Sequence, residues 1–204
     1  MYLISFATIL SFFLGIGLSA STGFKVFLPL FLIGFFSFLG IDIILISEDM
    51  IWIKNPIVLF VIGILTIIET SIYFIPFLDN RMDRLKIPLS FIVGALIMKA
   101  TLISFSLSAG WIISFVFGGG VATFFSYTSA IARRITTITT RGAGNFLINV
   151  GEIFIALVLS ITAIFISPLA FLITVILIIM MLVALNRLEK RIPNDLNSMK
   201  INVE

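Results

Sequence analysis

From Ile153 to Asn186 the chain reads IFIALVLSITAIFISPLAFLITVILIIMMLVALN, without one charged residue. A helix crossing the hydrocarbon core of a bilayer needs about 20 apolar residues. This run is too long for a single span and too oily for a water-facing surface. It breaks at Ser167-Pro168, because proline lacks the N–H that would continue the helical ladder. Two helices result, near 145–166 and 168–187. Over the whole chain of 204 residues, 60% are hydrophobic and 11% charged, whereas a soluble domain carries about 25% charged residues. The sequence therefore specifies an all-α, polytopic transmembrane helical bundle.

Residues 2–22, 56–77, 87–108 and 111–132 supply further spans, the second despite Glu69 and the third despite Lys99. The segment 24–46 is long enough to cross but is interrupted by Pro29, Gly34, Gly40 and Asp42. If it spans, there are seven helices and the N-terminus lies outside. If it dips in and returns, there are six and the N-terminus lies inside. Most basic residues fall in three groups: Arg81, Arg84 and Lys86; Arg133, Arg134 and Arg141; Arg187, Lys190, Arg191 and Lys200. Two spans separate each group from the next, so all share one side, which the positive-inside rule makes cytoplasmic. The segment 47–55, with Trp52, then falls outside. These features predict one multi-pass domain, 1–190, in the inner (plasma) membrane, with a cytoplasmic polar tail at 191–204 and the lipid bilayer as its first partner.

The net charge of +3 comes from loop residues that set orientation, so nucleic acid is not an expected partner. There are no cysteines and no histidines. That removes the usual zinc sites, thiol nucleophiles and Ser-His hydrolases, and no cofactor or metal is expected. An aspartyl membrane protease needs two facing aspartates, and only Asp42 comes near. The chain does not read as an enzyme, although a lipid-modifying activity is kept as a minor alternative.

The chain also repeats itself. Ser11, Gly15, Ser19 and Gly23 fall every fourth position, as do Ser114, Gly118, Ala122 and Ser126. Small residues at that spacing form a helix-packing groove that lets a second backbone approach. PLSFIV at 88–93 matches PLAFLI at 168–173, and Asn55 with Glu69 is echoed by Asn145 with Glu152. This predicts an internal duplication, about 1–108 and 111–190. With six spans the halves form an inverted repeat, whose broken or re-entrant segments are STGFKVFLP and SYTSAIARRITTITTRGAGN. Such segments frame the sites of many secondary transporters.

The stretches LGIGLSASTGFKVFLPLF, IETSIYFIPFLDNRMD and NFLINVGE resemble a family of small bacterial membrane proteins. It is known as a domain of unknown function, the four-one-two-six family. The likeness runs from about Leu14 to Arg191 and rests on Gly23, Lys25, Phe27 and Pro29, on Glu69, Pro76, Asp79 and Asp83, and on Asn145 and Glu152. The chain departs from the family pattern at Tyr73-Phe74, where relatives often have Asp-Lys. It departs again at SYTSAIARR, where they tend to have a histidine and a lysine. The resemblance implies a polytopic inner-membrane protein with no established activity.

Ionisable residues inside spans are functional candidates. Lys25, Glu69, Lys99, Asn145 and Glu152 are the candidate substrate or ion site. Lys99 is the expected partner of one glutamate, as a structural pair; alternatively one glutamate stays unpaired in a cleft and carries a proton or cation. Arg133, Arg134 and Arg141 are candidates for an anionic headgroup, or simply obey positive-inside. Two functions fit: a small transporter or flippase with a polar midplane cleft, working as a homodimer or alone, and a non-transporting scaffold that docks through its small-residue faces.

Overall fold

The computed structural model describes residues 6–41, 46–73, 76–103, 105–140 and 144–201, with the side chains of 76–81 and 188–201 outside the description. Among these residues the secondary structure is entirely helical. The elements are α1 (Phe6–Phe24), α2 (Phe27–Phe38), a 3₁₀ turn (Glu48–Lys54), α3 (Pro56–Ile72) and α4 (Pro76–Thr101). They continue with α5 (Leu107–Ile113), a π-helical turn (Ser114–Gly119), α6 (Gly120–Thr140), α7 (Asn145–Phe165) and α8 (Ser167–Ile201). Four stretches are long and apolar enough to cross a bilayer: Phe6–Phe24, Leu107–Thr140, Asn145–Phe165 and Ser167–Arg187. The 3₁₀ turn and α3, bent by 67°, make a fifth if taken together.

The element ends follow local chemistry. Asn55 caps α3, its Oδ1 accepting from Ile57 N at 2.9 Å, with Pro56 at the first helical position. After α2 the chain turns through Gly40 at φ +72°, while Ile41 N reaches back to Phe36 O at 3.2 Å. This C-terminal closure needs the left-handed conformation that glycine adopts freely. The α7–α8 break falls at Ile166, immediately before Ser167-Pro168.

Two expectations are corrected. The helix expected at 87–108 starts at Pro76 and stops at Thr101, so Asp83 and Lys86 are helical rather than in a loop; Pro88 removes one N–H from α4 without ending it. Of the expected interruption SYTSAIARRITTITTRGAGN, the part from Ser126 to Thr140 is unbroken helix, and α6 ends only before RGAGN. Its threonines hold the helix by donating to carbonyls four residues back, among them Thr137 to Arg133 O at 2.9 Å and Thr140 to Thr136 O at 2.7 Å.

Helix α1 is the axis of the bundle and is buried from Leu14 to Phe24. It runs antiparallel to α4: Gly15 lies against Met98 and Thr101, and Ser19 Oγ donates to Gly94 O at 3.0 Å. It also runs antiparallel to α7, where Ser21 Oγ meets Ala156 O at 2.8 Å and Ser160 Oγ at 2.7 Å, and Gly17 lies against Ala163. Both small-residue rows face inward. A Cβ on Gly23 would meet Ala122 O at 2.6 Å, and one on Gly118 would meet Gly94 O at 2.6 Å, so these crossings exist only because a side chain is missing. Phe12 meets Phe117 edge-to-face near the start of α1, and Gly23 meets Phe125 at its end. Helices α1 and α6 therefore run in the same direction, and the shared small-residue pattern does not appear here as an inverted pair.

Helix α2 runs back beside α1. Gly34 sits against Ile53 and Leu59, and Phe36 packs on Phe165, near the level where Gly17 meets Ala163. The segment 24–46 thus turns at Lys25-Val26, and its 12-residue helix is about 18 Å long at 1.5 Å per residue. Residues 42–45, including Asp42, lie outside the described residues.

Candidate functional site

The turn between α1 and α2 is where the charge collects. Lys25 is wholly buried, as is Arg133, while Asp83, Lys86, Glu152 and Glu69 are at most 8% exposed. Helix α7 supplies Glu152, seven residues or about 10 Å along the helix from Asn145 and within one turn of its middle. Helix α6 adds Ser129 and Arg133 one turn apart, α4 adds Asp83 and Lys86, and the end of α3 adds Glu69 and Tyr73.

Glu152 is the hub. Its Oε2 lies 3.6 Å from Lys25 Nζ and 3.5 Å from Lys86 Nζ, and it accepts from Arg133 Nη2; Ser129 Oγ donates to its Oε1. Arg133 also faces Asp83, Nε to Oδ1 at 3.7 Å. The Tyr73 ring lies among the same cations, its centroid 4.4 Å from Lys25 Nζ, 4.2 Å from Arg133 Cζ and 5.4 Å from Lys86 Nζ. All three distances are within cation–π range.

Glu69 has a different partner from the expected lysine. Its Oε1 accepts from Val26 N at 2.7 Å and its Oε2 from Phe27 N at 3.0 Å. These amides open α2 and have no acceptor within their own helix, and a carboxylate there also meets the positive end of the helix dipole. A helix 43 residues further along thus caps the re-entering one. Lys25 Nζ, at the tip of the turn, donates to Asn149 Oδ1 at 2.6 Å.

The structure brings Lys25, Glu69 and Glu152 together and leaves Lys99 out. Lys99 lies thirteen residues along α4 from Lys86, about 20 Å of helical rise. Its Nζ pairs with Asp49 Oδ2 at 2.9 Å, beside a cavity of about 410 Å³ lined by Ser47, Glu48 and Asp49. A charged residue in the 47–55 segment takes the role expected of a glutamate because that turn folds back over the end of α4, Ser47 N donating to Ala100 O at 2.8 Å. Asn145 is buried at the start of α7, donating through Nδ2 to Thr137 Oγ1 at 2.8 Å. The arginine trio divides: Arg133 is in the cluster, Arg134 is exposed, and Arg141 lies outside the described residues.

Lys86, Asp83, Tyr73, Ser129 and Asn149 were not among the expected site residues. A signal for them exists in helical spacing. Asn145, Asn149 and Glu152 fall at i, i+4 and i+7, and Ser129 and Arg133 at i and i+4, each set a polar stripe along one face of a helix. Among the described residues no three acidic side chains gather closely enough to hold a metal ion. Chemically, the cluster is three cations and three carboxylates almost wholly buried in the bundle, with Glu69, Tyr73 and Lys86 also lining an apolar groove.

No curated protein and no solved structure is similar to the chain at a significant level. A family model does match, described as Domain of unknown function (DUF4126), over residues 12–187. The match covers α1 from Phe12, the whole cluster and α8 as far as Arg187, and the chain belongs to the DUF4126 family, a domain of unknown function.

Proposed function

We propose that this protein is a small membrane transporter or flippase that moves an ion, a small solute or a lipid-linked anion through the charged cluster. One observation carries the reading: six ionisable side chains are buried together around a break between two helices. Such a cluster is a poor way to gain stability, because the desolvation of buried ion pairs offsets most of their attraction. A helix broken at a charged, hydrogen-bonded turn is also how many secondary transporters frame a site. In this reading the chain has seven membrane segments, with α2 short and α4 charged at one end. The N-terminus is outside, on the side of the 3₁₀ turn, and the C-terminus is in the cytoplasm of the cell that carries it. The cavity beside Lys99 is the outer vestibule and the cluster is the inner site. The scaffold alternative loses support because both small-residue rows are already occupied within the chain.

The chain has no cysteine, so single cysteines report without interference. An impermeant maleimide should reach Asn149→Cys from one face of sealed vesicles, and reach Asp49→Cys from the other. Reconstituted Glu152→Gln should lose pH-driven flux. Protection of Asn149→Cys from both faces, with flux unchanged in Glu152→Gln, would refute the transport reading.

A further inference from the structure

We infer that Glu152 is a resident counter-anion, and that the ligand of this cluster is an oxyanion that displaces it from Lys25, Lys86 and Arg133 while Glu152 takes up one proton. This deepens the transport reading by naming the substrate class.

Three features point to an anion. First, the cationic side chains converge on one oxygen, Glu152 Oε2. The other carboxylates face elsewhere: Glu69 holds the two α2 amides, and Asp83 faces Arg133 Nε. Glu152 is thus the carboxylate whose place a second oxyanion would take. Second, a donor waits beside it. A lysine ammonium only donates, so the bond from Lys25 fixes Asn149 with its oxygen toward Nζ. Its Nδ2, fully buried, has no hydrogen-bond partner among the described residues. Leaving a buried hydrogen bond unmade is unfavourable, and an arriving anion would supply the missing acceptor. Third, a cationic ligand would have to sit among two lysines and an arginine.

Charge balance sets the proton count. Lys25, Lys86 and Arg133 oppose Glu69, Asp83 and Glu152, a net of zero. A monoanion entering alone would bury an uncompensated negative charge, which is strongly disfavoured. One proton on Glu152 restores neutrality, and the Ser129 hydroxyl and Tyr73 ring that also face the cluster carry no charge. Binding is therefore electroneutral, one proton taken up with each monoanion. An apolar groove of about 170 Å³, bounded by α3, α4 and the start of α2, includes Glu69, Tyr73 and Lys86 of the cluster in its lining together with Leu65 and Leu85. An acyl chain fits there if the oxyanion is a headgroup, and a free oxyanion has no use for it.

The test is calorimetric titration of the full chain in zwitterionic nanodiscs, in buffers of different ionisation enthalpy. The probes are dimethyl phosphate and dioctanoyl phosphatidylglycerol, two phosphodiester monoanions whose own charge is constant from pH 6 to 8. The expected result is one proton taken up per anion bound, with affinity falling about tenfold per pH unit, and no slope in Glu152→Gln. Binding of both probes means a free oxyanion suffices; binding of the lipid alone assigns a headgroup. Absence of binding, pH-independent binding by the native chain, or a slope retained in Glu152→Gln overturns the proposal. The native proton count needs no variant, so it decides the matter even if Glu152→Gln does not fold. Flux without proton-linked anion binding sinks the displacement of Glu152 and leaves transport standing; linked binding without flux does the reverse.

Discussion

Removing Lys25 and Glu152 separately and together measures whether their charges really face one another in a dry interior. Their 3.6 Å separation corresponds to about 4–5 kcal/mol of attraction at an effective dielectric constant of ~20. Lys25→Met leaves Glu152 with two cations instead of three and strands Asn149 Oδ1, which accepts from Lys25 at 2.6 Å. Glu152→Gln leaves three cations facing two carboxylates. Breaking a buried pair from one side costs about 3–5 kcal/mol, and each single variant should fall in that range. The double variant restores charge balance, so its cost should be less than the sum by about 2–3 kcal/mol, as for other residues in direct contact. Detergent-induced unfolding, followed by the fluorescence of Trp52 and Trp111, measures all four corners of the cycle. A coupling below about 0.5 kcal/mol would mean that water or lipid headgroups screen the pair, and the buried-cluster description would be wrong.

Three further outcomes follow from the same geometry. Glu69→Gln keeps one acceptor for the two α2 amides and turns an N–H toward the other, so it should cost about 1.5–3 kcal/mol; hydrogen exchange at Val26 and Phe27 should quicken, while the exposed Glu48→Gln leaves it unchanged. Gly118→Ala places a methyl group 2.6 Å from Gly94 O and should lower stability by about 1–3 kcal/mol, read as a drop in melting temperature. Lys99→Met with Asp49→Asn should show a coupling within about 1 kcal/mol in the same unfolding cycle, because Asp49 is 51% exposed.

Much of the architecture was legible because bilayer chemistry leaves few choices. The break at Ser167-Pro168, the turn near Lys25, and the start of α3 at Asn55-Pro56 each followed from one proline, charge or cap. What stayed hidden were partners set by tertiary packing. Nothing local tells Glu69 to seek the amides of Val26 and Phe27 rather than a lysine. Lys86 and Asp83 read as loop residues because positive-inside counting assigns charge to loops, whereas α4 starts early enough to carry them into the bundle. The threonine run was expected to break as the repeat counterpart of the Lys25 segment, whereas it continues α6 to Thr140. Asn149 was passed over although it lies one turn from both Asn145 and Glu152 on the same polar face.

The cap that Glu69 places on α2 has a consequence for biogenesis. The ribosome finishes the α1–α2 hairpin before Glu69 exists, and long before Asn149 and Glu152 emerge. Until then the two free amides and the lysine at its tip have only water or the insertion machinery to satisfy them. The hairpin must therefore wait at the edge of the membrane, and the order of synthesis makes α3 and α7 the elements that let it settle.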